Sequence, residues 1–216
     1  MQCMDELEQR AAVVDCARRM SGAGLAPGKS GNVSCRWRDG LLITPSALAY
    51  DRMVGEDIVE LDLAGVVRAG RRPASSEWPF HTAIYRSRPD ALAIVHTHSP
   101  HAAALSCARR GLPAFHYMVA MAGGEDIRCA EYATFGTAQL AENILKALAG
   151  RKAALLANHG AIALSDSLDG ALGLAMEVEN LASVYLKTLG ASLQPVLLDA
   201  KEMQRVLGKF EHYGRE

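Results

Sequence analysis

Apolar positions recur at three- to four-residue spacing in two long stretches, residues 5–20 and about 167–189. That period places the apolar side chains on one face of a helix. The first stretch therefore predicts an amphipathic helix near the start of the chain. The second predicts a long core helix that ends at Gly190, because glycine is a common stop signal at helix C-termini.

Shorter apolar runs predict strands. Residues 33–37 and 41–43 lie on either side of Asp39-Gly40, a sequence typical of a β-hairpin turn. Residues 91–98 form another apolar run, and residues 153–164 read as two short strands on either side of His159. In that last turn, Gly160 is expected to permit the sharp change of direction.

A further helix is predicted between these strands. Ser75 and Ser76 are N-cap candidates, and Glu77 follows as an acid in the first turn, where it favours the helix dipole. This helix is expected to end near Arg88, before Pro89. Helical and strand-like segments thus alternate along the chain, without internal repeats or a linker that would divide it.

Composition narrows the class of protein. The 216 residues carry a formal net charge of −1 and are 50% hydrophobic, which fits one domain spanning residues 1–216 with a C-terminal tail from about residue 191. Neither a basic nucleic-acid surface nor a membrane span is indicated. The acidic N-terminus does not resemble a secretory signal, and five scattered cysteines fit reduced thiols, so a cytoplasmic protein is expected.

Three histidines stand out as metal-ligand candidates. His96 and His98 are two residues apart at the end of a predicted strand, so both imidazoles can face one ion. His159 lies in a turn between apolar strands, where a structural histidine has little role. Three histidines with one exchangeable position are typical of a catalytic zinc site. Glu77 is the candidate fourth ligand, able to leave the metal and move protons, while His81 is interpreted as a core or helix-surface residue.

Several short donors could bind an oxyanion. They lie in a glycine-rich loop, at the end of the first hairpin and at the predicted start of a helix, where backbone N–H groups are free. Lys29 could add a point charge. The candidate phosphate-binding residues are Gly31, Asn32, Thr44, Ser46, Ser75 and Ser76. Each has an alternative interpretation as a turn or capping residue.

Taken together in their order, these motifs resemble the class II aldolase and adducin family, and the resemblance runs nearly from end to end. The segments that carry it are Ser30-Gly31-Asn32-Val33-Ser34, Leu42-Ile43-Thr44-Pro45, Ser75-Ser76-Glu77-Trp78, His96-Thr97-His98, His116-Tyr117-Met118, Tyr132-Ala133-Thr134-Phe135-Gly136-Thr137 and Asn158-His159-Gly160. The resemblance implies a three-layer α/β/α fold with a mostly antiparallel central sheet. It also implies a homotetramer with active sites between neighbouring subunits.

The resemblance further implies roles for particular residues. One zinc ion, or another divalent metal, would bind each subunit through Glu77, His96, His98 and His159, with Glu77 also the acid/base. Tyr117 would come from the adjacent subunit to act near the aldehyde end of the substrate. Tyr213 in the tail would be a second catalytic tyrosine, and Phe135 would form part of the wall.

The implied reaction is the retro-aldol cleavage of a ketose 1-phosphate to dihydroxyacetone phosphate and an aldehyde. L-Fuculose 1-phosphate and 5-deoxyribulose or 5-methylthioribulose 1-phosphate are the expected substrates. Alternatives on the same scaffold are a pentulose-phosphate 4-epimerase, whose pattern has an aspartate in place of Glu77, and a methylthioribulose-1-phosphate dehydratase. A non-catalytic, adducin-head-like interaction domain is the alternative outside enzymes. The chain departs from the family patterns Thr-Ala-Gly-Asn and Thr-Pro-Thr-Gly at Lys29, Ser30, Ser46 and Ala47.

Overall fold

A computed structural model describes residues 5–212 of the chain, with side chains described to residue 210. Within this range the helices are α1 (Glu6–Gly22), α2 (Trp78–Ser87), α3 (Pro100–Cys107), α4 (Ala138–Ala147), α5 (Leu168–Gly190) and α6 (Ala200–His212). The strands are β1 (Asn32–Trp37), β2 (Gly40–Ile43), β3 (Val59–Asp62), β4 (Val67–Ala69), β5 (Ala93–Thr97), β6 (Arg128–Ala130), β7 (Ala153–Leu156) and β8 (Gly160–Ser165).

The eight strands of this described region form one sheet in the order β4-β3-β2-β1-β5-β8-β7-β6. Every neighbouring pair is antiparallel except β6 with β7. Helices α1, α3 and α5 pack against one face, and α2 and α4 pack together against the other. The predicted three-layer α/β/α architecture with a mostly antiparallel sheet is therefore confirmed.

The two-residue period of the strands divides the core between these faces. In β5, Val95 packs into the cluster beneath α5, whereas Ile94 packs into the cluster beneath α2 and α4. Successive side chains of a strand point to opposite faces, so His96 follows Ile94 towards α2. Because both faces are covered, β5 is buried along its whole length.

Most of the predicted elements are confirmed. Helix α1 begins after Asp5, which forms a capping box with Glu8. The hairpin of β1 and β2 turns at the expected position. Helix α5 begins after Ser167, whose side chain accepts a hydrogen bond from the backbone of Gly170.

Two details differ from the sequence-based expectations. The N-cap of α2 is Glu77 itself, not Ser75 or Ser76, and the Glu77 side chain does not cap the helix. The region expected to be a tail contains α6, in which Met203 is fully buried. Its amphipathic pattern, with apolar residues separated by charges, is the helical signal that the sequence analysis did not use.

Antiparallel pairing brings the candidate ligands to one edge of the sheet. The start of β1, the end of β5 and the start of β8 are neighbours there, because β5 runs opposite to both of the other strands. Asn32 pairs directly with His96 across this edge. None of the helices in residues 5–212 combines the length and hydrophobicity that crossing a bilayer requires.

Candidate metal centre

Four side chains converge at this edge of the sheet. One ligand atom from each of Glu77, His96, His98 and His159 lies within 4.8 Å of every other. Glu77 Oε2 is 3.2 Å from His96 Nε2, and Glu77 Oε1 is 3.1 Å from His159 Nε2. The histidines that are far apart in sequence therefore reach a single point, as their pattern predicts.

The paired histidines lie at the end of β5, and the third lies in a separate turn. His96 lies in β5 and His98 just beyond its end, so both imidazoles leave the same face of the strand. Their Nε2 atoms are 3.0 Å apart. His159 approaches from the turn between β7 and β8, and its backbone N–H donates to the Ser106 hydroxyl at 3.2 Å.

The geometry of that turn differs from the expectation for Gly160. The left-handed residue is Asn158, with φ of 55°, whereas the φ of Gly160 lies outside this region. A Cβ atom at Gly160 would lie 2.1 Å from the carbonyl oxygen of Thr97. Glycine is thus required here because the backbones of β5 and β8 approach closely, not because the turn needs a positive φ.

A hydrogen bond to the backbone orients the ring of His96 at the centre. A carbonyl oxygen only accepts, so His96 Nδ1 carries the proton and donates to the oxygen of Ala161 at 2.9 Å. His96 Nε2 is the ring nitrogen that faces the cluster. Burial first, and then the proximity of His96 and His159, lowers the pKa of His98 to about 3, so His98 is neutral near pH 7.

Glu77 completes the centre as a buried carboxylate. Burial alone would raise the pKa of Glu77, but the imidazoles of His96 and His159 bring it well below its ordinary range. Glu77 Oε2 accepts a hydrogen bond from Asn32 Nδ2 at 2.8 Å. Among the described residues, no hydrogen bond of good geometry reaches the buried Glu77 Oε1.

These donors suit a divalent cation. Ring nitrogens and a buried carboxylate oxygen meet here out of water, which is costly without positive charge among them. A cation bound at this point would supply that charge. Three imidazoles and a carboxylate are the nitrogen and oxygen ligands that catalytic zinc sites use.

A cavity of about 320 Å³ opens beside the cluster, which is within the range of small-molecule sites, roughly 300–1,000 Å³. Most of the sequence-predicted site residues line this cavity. The lining comprises Lys29, Ser30, Gly31, Asn32, Pro45, Ser46, Ala47, Ser75, Glu77, His98, Tyr132, Ala133, Phe135, Asn158 and His159. His96 is fully buried behind this lining.

Two candidate phosphate-binding residues are placed differently. Thr44 is buried, and its hydroxyl accepts a hydrogen bond from the Val33 backbone at 3.2 Å. Ser76 is exposed and does not line the cavity, but its N–H donates to Ser46 Oγ at 3.1 Å. Ser46 Oγ in turn donates to the carbonyl oxygen of Ala74. The hydroxyl of Ser46 is thereby held at the cavity wall.

The departures from the family pattern lie in the cavity itself. Ala47 adopts a left-handed backbone with φ of 58°, which costs a residue other than glycine about 1–2 kcal/mol. Lys29 is exposed and contributes a charged side chain to the lining. The Ser30-Gly31 backbone between them is held by Tyr50, whose hydroxyl reaches both carbonyl oxygens, at 2.8 and 2.7 Å.

Of the two predicted catalytic tyrosines, the one that the structure describes lies outside this cavity. Tyr117 is 51% exposed and lines a separate groove between a short 3₁₀ helix, Tyr117–Ala122, and α6. Tyr213 lies outside the described residues. The sequence reasoning did not select Tyr132 or Asn158, which line the cavity. Both lie on loops and within segments that carry the family resemblance, which was the available signal.

Comparison with known proteins agrees with this geometry. The sequence profile described as Class II Aldolase and Adducin N-terminal domain matches residues 11–186. The chain belongs to this family. It is therefore a class II aldolase and adducin family member whose three histidines and glutamate indicate a divalent metal site.

Its relatives within the family include aldolases. The chain is 52% identical to the 5-methylthioribulose-1-phosphate/5-deoxyribulose-1-phosphate aldolase of Rhodospirillum rubrum, over 95% of this chain and 92% of that protein. It is 48% identical to the L-fuculose phosphate aldolase of Escherichia coli, over 94% of each chain. A solved L-fuculose 1-phosphate aldolase structure has a TM-score of 0.91 and 38% identity, and the match covers 97% of this chain and 98% of that one.

The metal centre predicts the effect of removing one ligand. We expect His98→Asn to lower divalent-metal affinity by more than the roughly 10–100-fold that loss of an outer hydrogen-bonding partner causes, because one direct ligand is lost. Metal content after dialysis, measured by mass spectrometry, checks this. The control is His101→Asn, since His101 lies outside the cluster and bonds to Glu179. Stoichiometric metal retained by His98→Asn would contradict the assignment.

Proposed function

We propose that this protein is a cytoplasmic, zinc-dependent aldolase that cleaves a ketose 1-phosphate to dihydroxyacetone phosphate and an aldehyde. The convergence of Glu77, His96, His98 and His159 beside a cavity that holds Lys29 carries the proposal. The two named aldolases at 48% and 52% identity support it, because each covers more than nine-tenths of the chain. An interaction domain alone would not need these four side chains at one point.

The chemistry follows from the groups around the cavity. A bound zinc ion supplies Lewis acidity that stabilises negative charge on the substrate ketone oxygen. Cleavage removes the proton of the C4 hydroxyl, breaks the C3–C4 bond and passes its electron pair towards the ketone. Glu77 delivers a proton at C3 to give dihydroxyacetone phosphate. The C4 hydroxyl proton leaves to solvent, and Glu77, ionised at rest, takes up a proton from solvent before it delivers one at C3, so one proton leaves the substrate and one returns.

Glu77 is suited to this proton transfer because its carboxylate is ionised at rest. In the condensation direction it can accept the C3 proton of dihydroxyacetone phosphate directly. Asn32 holds Oε2 by its hydrogen bond, while Oε1 is free of strong hydrogen bonds among the described residues. We propose that Oε1 is the atom that carries the proton.

We place the substrate phosphate at the opposite end of the cavity. Gly31 and Ser75 offer short donors there, Ser46 forms part of the wall beside them, and Asn32 contributes its backbone while its side chain remains on Glu77. Thr44 and Ser76 support this edge from behind through their hydrogen bonds. Lys29 and Glu77 are the two side chains of formal charge in the described lining, so Lys29 is the cation available to a phosphate dianion.

The aldehyde end of the substrate is proposed to contact Tyr132 and Phe135. Both aromatic side chains line the cavity and are more than half exposed. An aromatic wall favours an apolar group, and each of the substrates that the relatives' names give ends in a methyl or methylthio group. The aromatic wall thus supports a substrate whose aldehyde end is apolar.

Activity against a substrate panel tests the proposed function. We expect the purified zinc protein to release dihydroxyacetone phosphate from at least one of L-fuculose 1-phosphate, 5-deoxyribulose 1-phosphate and 5-methylthioribulose 1-phosphate, measured by a coupled reductase. Water loss from 5-methylthioribulose 1-phosphate or epimerisation of a pentulose phosphate would favour the alternative reactions of this scaffold. Failure to cleave any of the three substrates would contradict the aldolase proposal.

The charge of Lys29 predicts a binding defect. Since an exposed cation interacts with an anion through solvent, we expect Lys29→Met to raise KM for the substrate by roughly three- to tenfold, with kcat nearly unchanged. The increase should shrink at high salt. Steady-state kinetics at two ionic strengths measure it, with Lys201→Met, in α6, as the control. An unchanged KM at low salt would exclude Lys29 from phosphate binding.

We further propose a homotetramer in which Tyr117 acts in the site of a neighbouring subunit. Its exposure, and its position in a groove separate from the metal cavity of its own chain, support this arrangement. Tyr213 is proposed to act similarly, as the second catalytic tyrosine. Exposed apolar residues of α5, Met176 and Val184, would be covered in such an assembly.

Mixed oligomers test the shared site. His98→Asn and Tyr117→Phe are each expected to have low activity, but co-refolding equal amounts should recover about a quarter of wild-type activity, because one site in four then draws both halves from intact chains. Light scattering reports the oligomeric state alongside. Mixtures no more active than the separate variants would show that Tyr117 does not complete a neighbour's site.

A further inference from the structure

A row of buried polar side chains leads away from the metal centre between β1 and α2. Glu77, His81 and Tyr85 are spaced four residues apart, so they lie on one face of α2 and its cap. Asn32 and Ser34 are two apart and share the face of β1 that meets it. All five side chains are buried. They form an unbroken chain of hydrogen bonds.

The direction of the first two bonds follows from the chemistry of Glu77. A carboxylate only accepts, so the Asn32 amide must turn its Nδ2 towards Glu77, at 2.8 Å. The Asn32 carbonyl oxygen then faces His81, whose Nε2 lies 2.5 Å away. That oxygen cannot donate, so His81 Nε2 carries a proton and donates it to this bond.

The remaining bonds are fixed in turn. Burial lowers the pKa of His81 to about 3, so its ring is neutral near pH 7 and Nδ1 has a lone pair. The Ser34 hydroxyl, 2.7 Å away, therefore donates to Nδ1. Having used its proton, Ser34 Oγ accepts from the Tyr85 hydroxyl at 2.9 Å, and burial raises the pKa of Tyr85 well above its ordinary value. Every donor in the row is thus determined.

We propose that His81 is a positioning residue that keeps the Asn32 amide in the orientation that Glu77 requires. An asparagine amide fits its site equally well when rotated by half a turn, since its oxygen and nitrogen are similar in size. The rotated amide would place an oxygen against the Glu77 carboxylate. The Nε2 proton of His81 excludes this state, because the rotated amide would leave it facing another donor.

The packing around His81 fixes the ring as well as its proton. The ring of Phe80 stacks on it with centroids 4.7 Å apart, and His81 itself has no exposed surface. Its two nitrogens are both occupied by the bonds to Asn32 and Ser34. His81 therefore has no free ring nitrogen to bind a metal, and its ring cannot move to carry a proton to solvent.

The consequence for Glu77 is positional. The bond from Asn32 holds Oε2, which leaves Oε1 directed at His159. Without it, the carboxylate could rotate about its last torsion and present either oxygen. The effect on turnover rests on the proposed function, in which Oε1 exchanges a proton with substrate, whereas the orientation of the side chains does not.

The first test reads the protons directly. In ¹⁵N-histidine-labelled protein with metal bound, long-range proton–nitrogen NMR should show His81 as a neutral ring protonated at Nε2 from pH 6 to 8. His96 should show the opposite tautomer, protonated at Nδ1, and serves as an internal reference. A charged His81, or one protonated at Nδ1, would overturn the proposal whether or not the protein proves to be an aldolase.

The second test uses substitutions. His81→Phe keeps the stacked ring but removes the donor, whereas a glutamine side chain at this position can place an N–H near that of Nε2. We expect His81→Phe to slow hydrogen–deuterium exchange at C3 of dihydroxyacetone phosphate about tenfold or more, with metal content and KM within about twofold. His81→Gln should recover most of the rate. Glu77→Gln gives the exchange rate expected when the proton-transferring carboxylate is absent.

Tyr85→Phe is the matched control, because it removes one bond of the same buried row without touching Asn32. We expect it to exchange at close to the wild-type rate. Equal losses in Tyr85→Phe and His81→Phe, without recovery in His81→Gln, would mean a general packing role and overturn the proposal. If His81→Phe does not fold, His81→Gln and Tyr85→Phe decide alone: both must stay near the wild-type rate. Absence of exchange in the wild-type protein would instead contradict the proposed aldolase function.

Discussion

The buried charge of Glu77 is the constraint around which the metal centre is arranged. Transferring an isolated carboxylate out of water costs several kcal/mol even after the protein relaxes. Here the N-terminus of α2, the Asn32 amide and the imidazoles of His96 and His159 each offset part of that cost. A divalent cation would offset more. The site is thus stable as a unit, and removal of one member leaves the others buried without compensation.

The partners of Glu77 come from a helix and a strand whose side-chain repeats match. A helix presents every fourth residue on one face and a strand every second residue, so α2 opposite β1 can bring three helical side chains against two strand side chains. The direct pairing of Asn32 with His96 then links this row to the metal ligands. A shift of one residue in the β1–β5 register would turn Asn32 to the other face of the sheet. The pairing register of β1 with β5 therefore determines whether Asn32 can bond to Glu77.

The sequence predicted much of this and missed specific parts. Strong periodicity identified α1, α5 and the β1–β2 hairpin, and the family motifs supplied the sheet architecture, which periodicity alone could not. The predicted phosphate contacts and tyrosine roles stay predictions. The link from Asn32 to His81 was invisible because it depends on which strand lies against α2. Helix α6 was missed because a polar, terminal segment resembles a tail until its packing partners are known.

Close backbone contacts hold the metal-binding strand in place. A Cβ atom at Gly31 would lie 2.6 Å from the His96 carbonyl oxygen, and one at Gly160 would lie 2.1 Å from that of Thr97. The end of β5 is therefore clamped between two backbones that carry no side chain at the point of contact. Since His96 and His98 are borne by this segment, the glycines set the ligand positions as well as the packing. The Ser30-Gly31 loop is tied to Tyr50 on the far side, so a single set of rigid contacts connects the proposed phosphate edge of the cavity with the metal ligands.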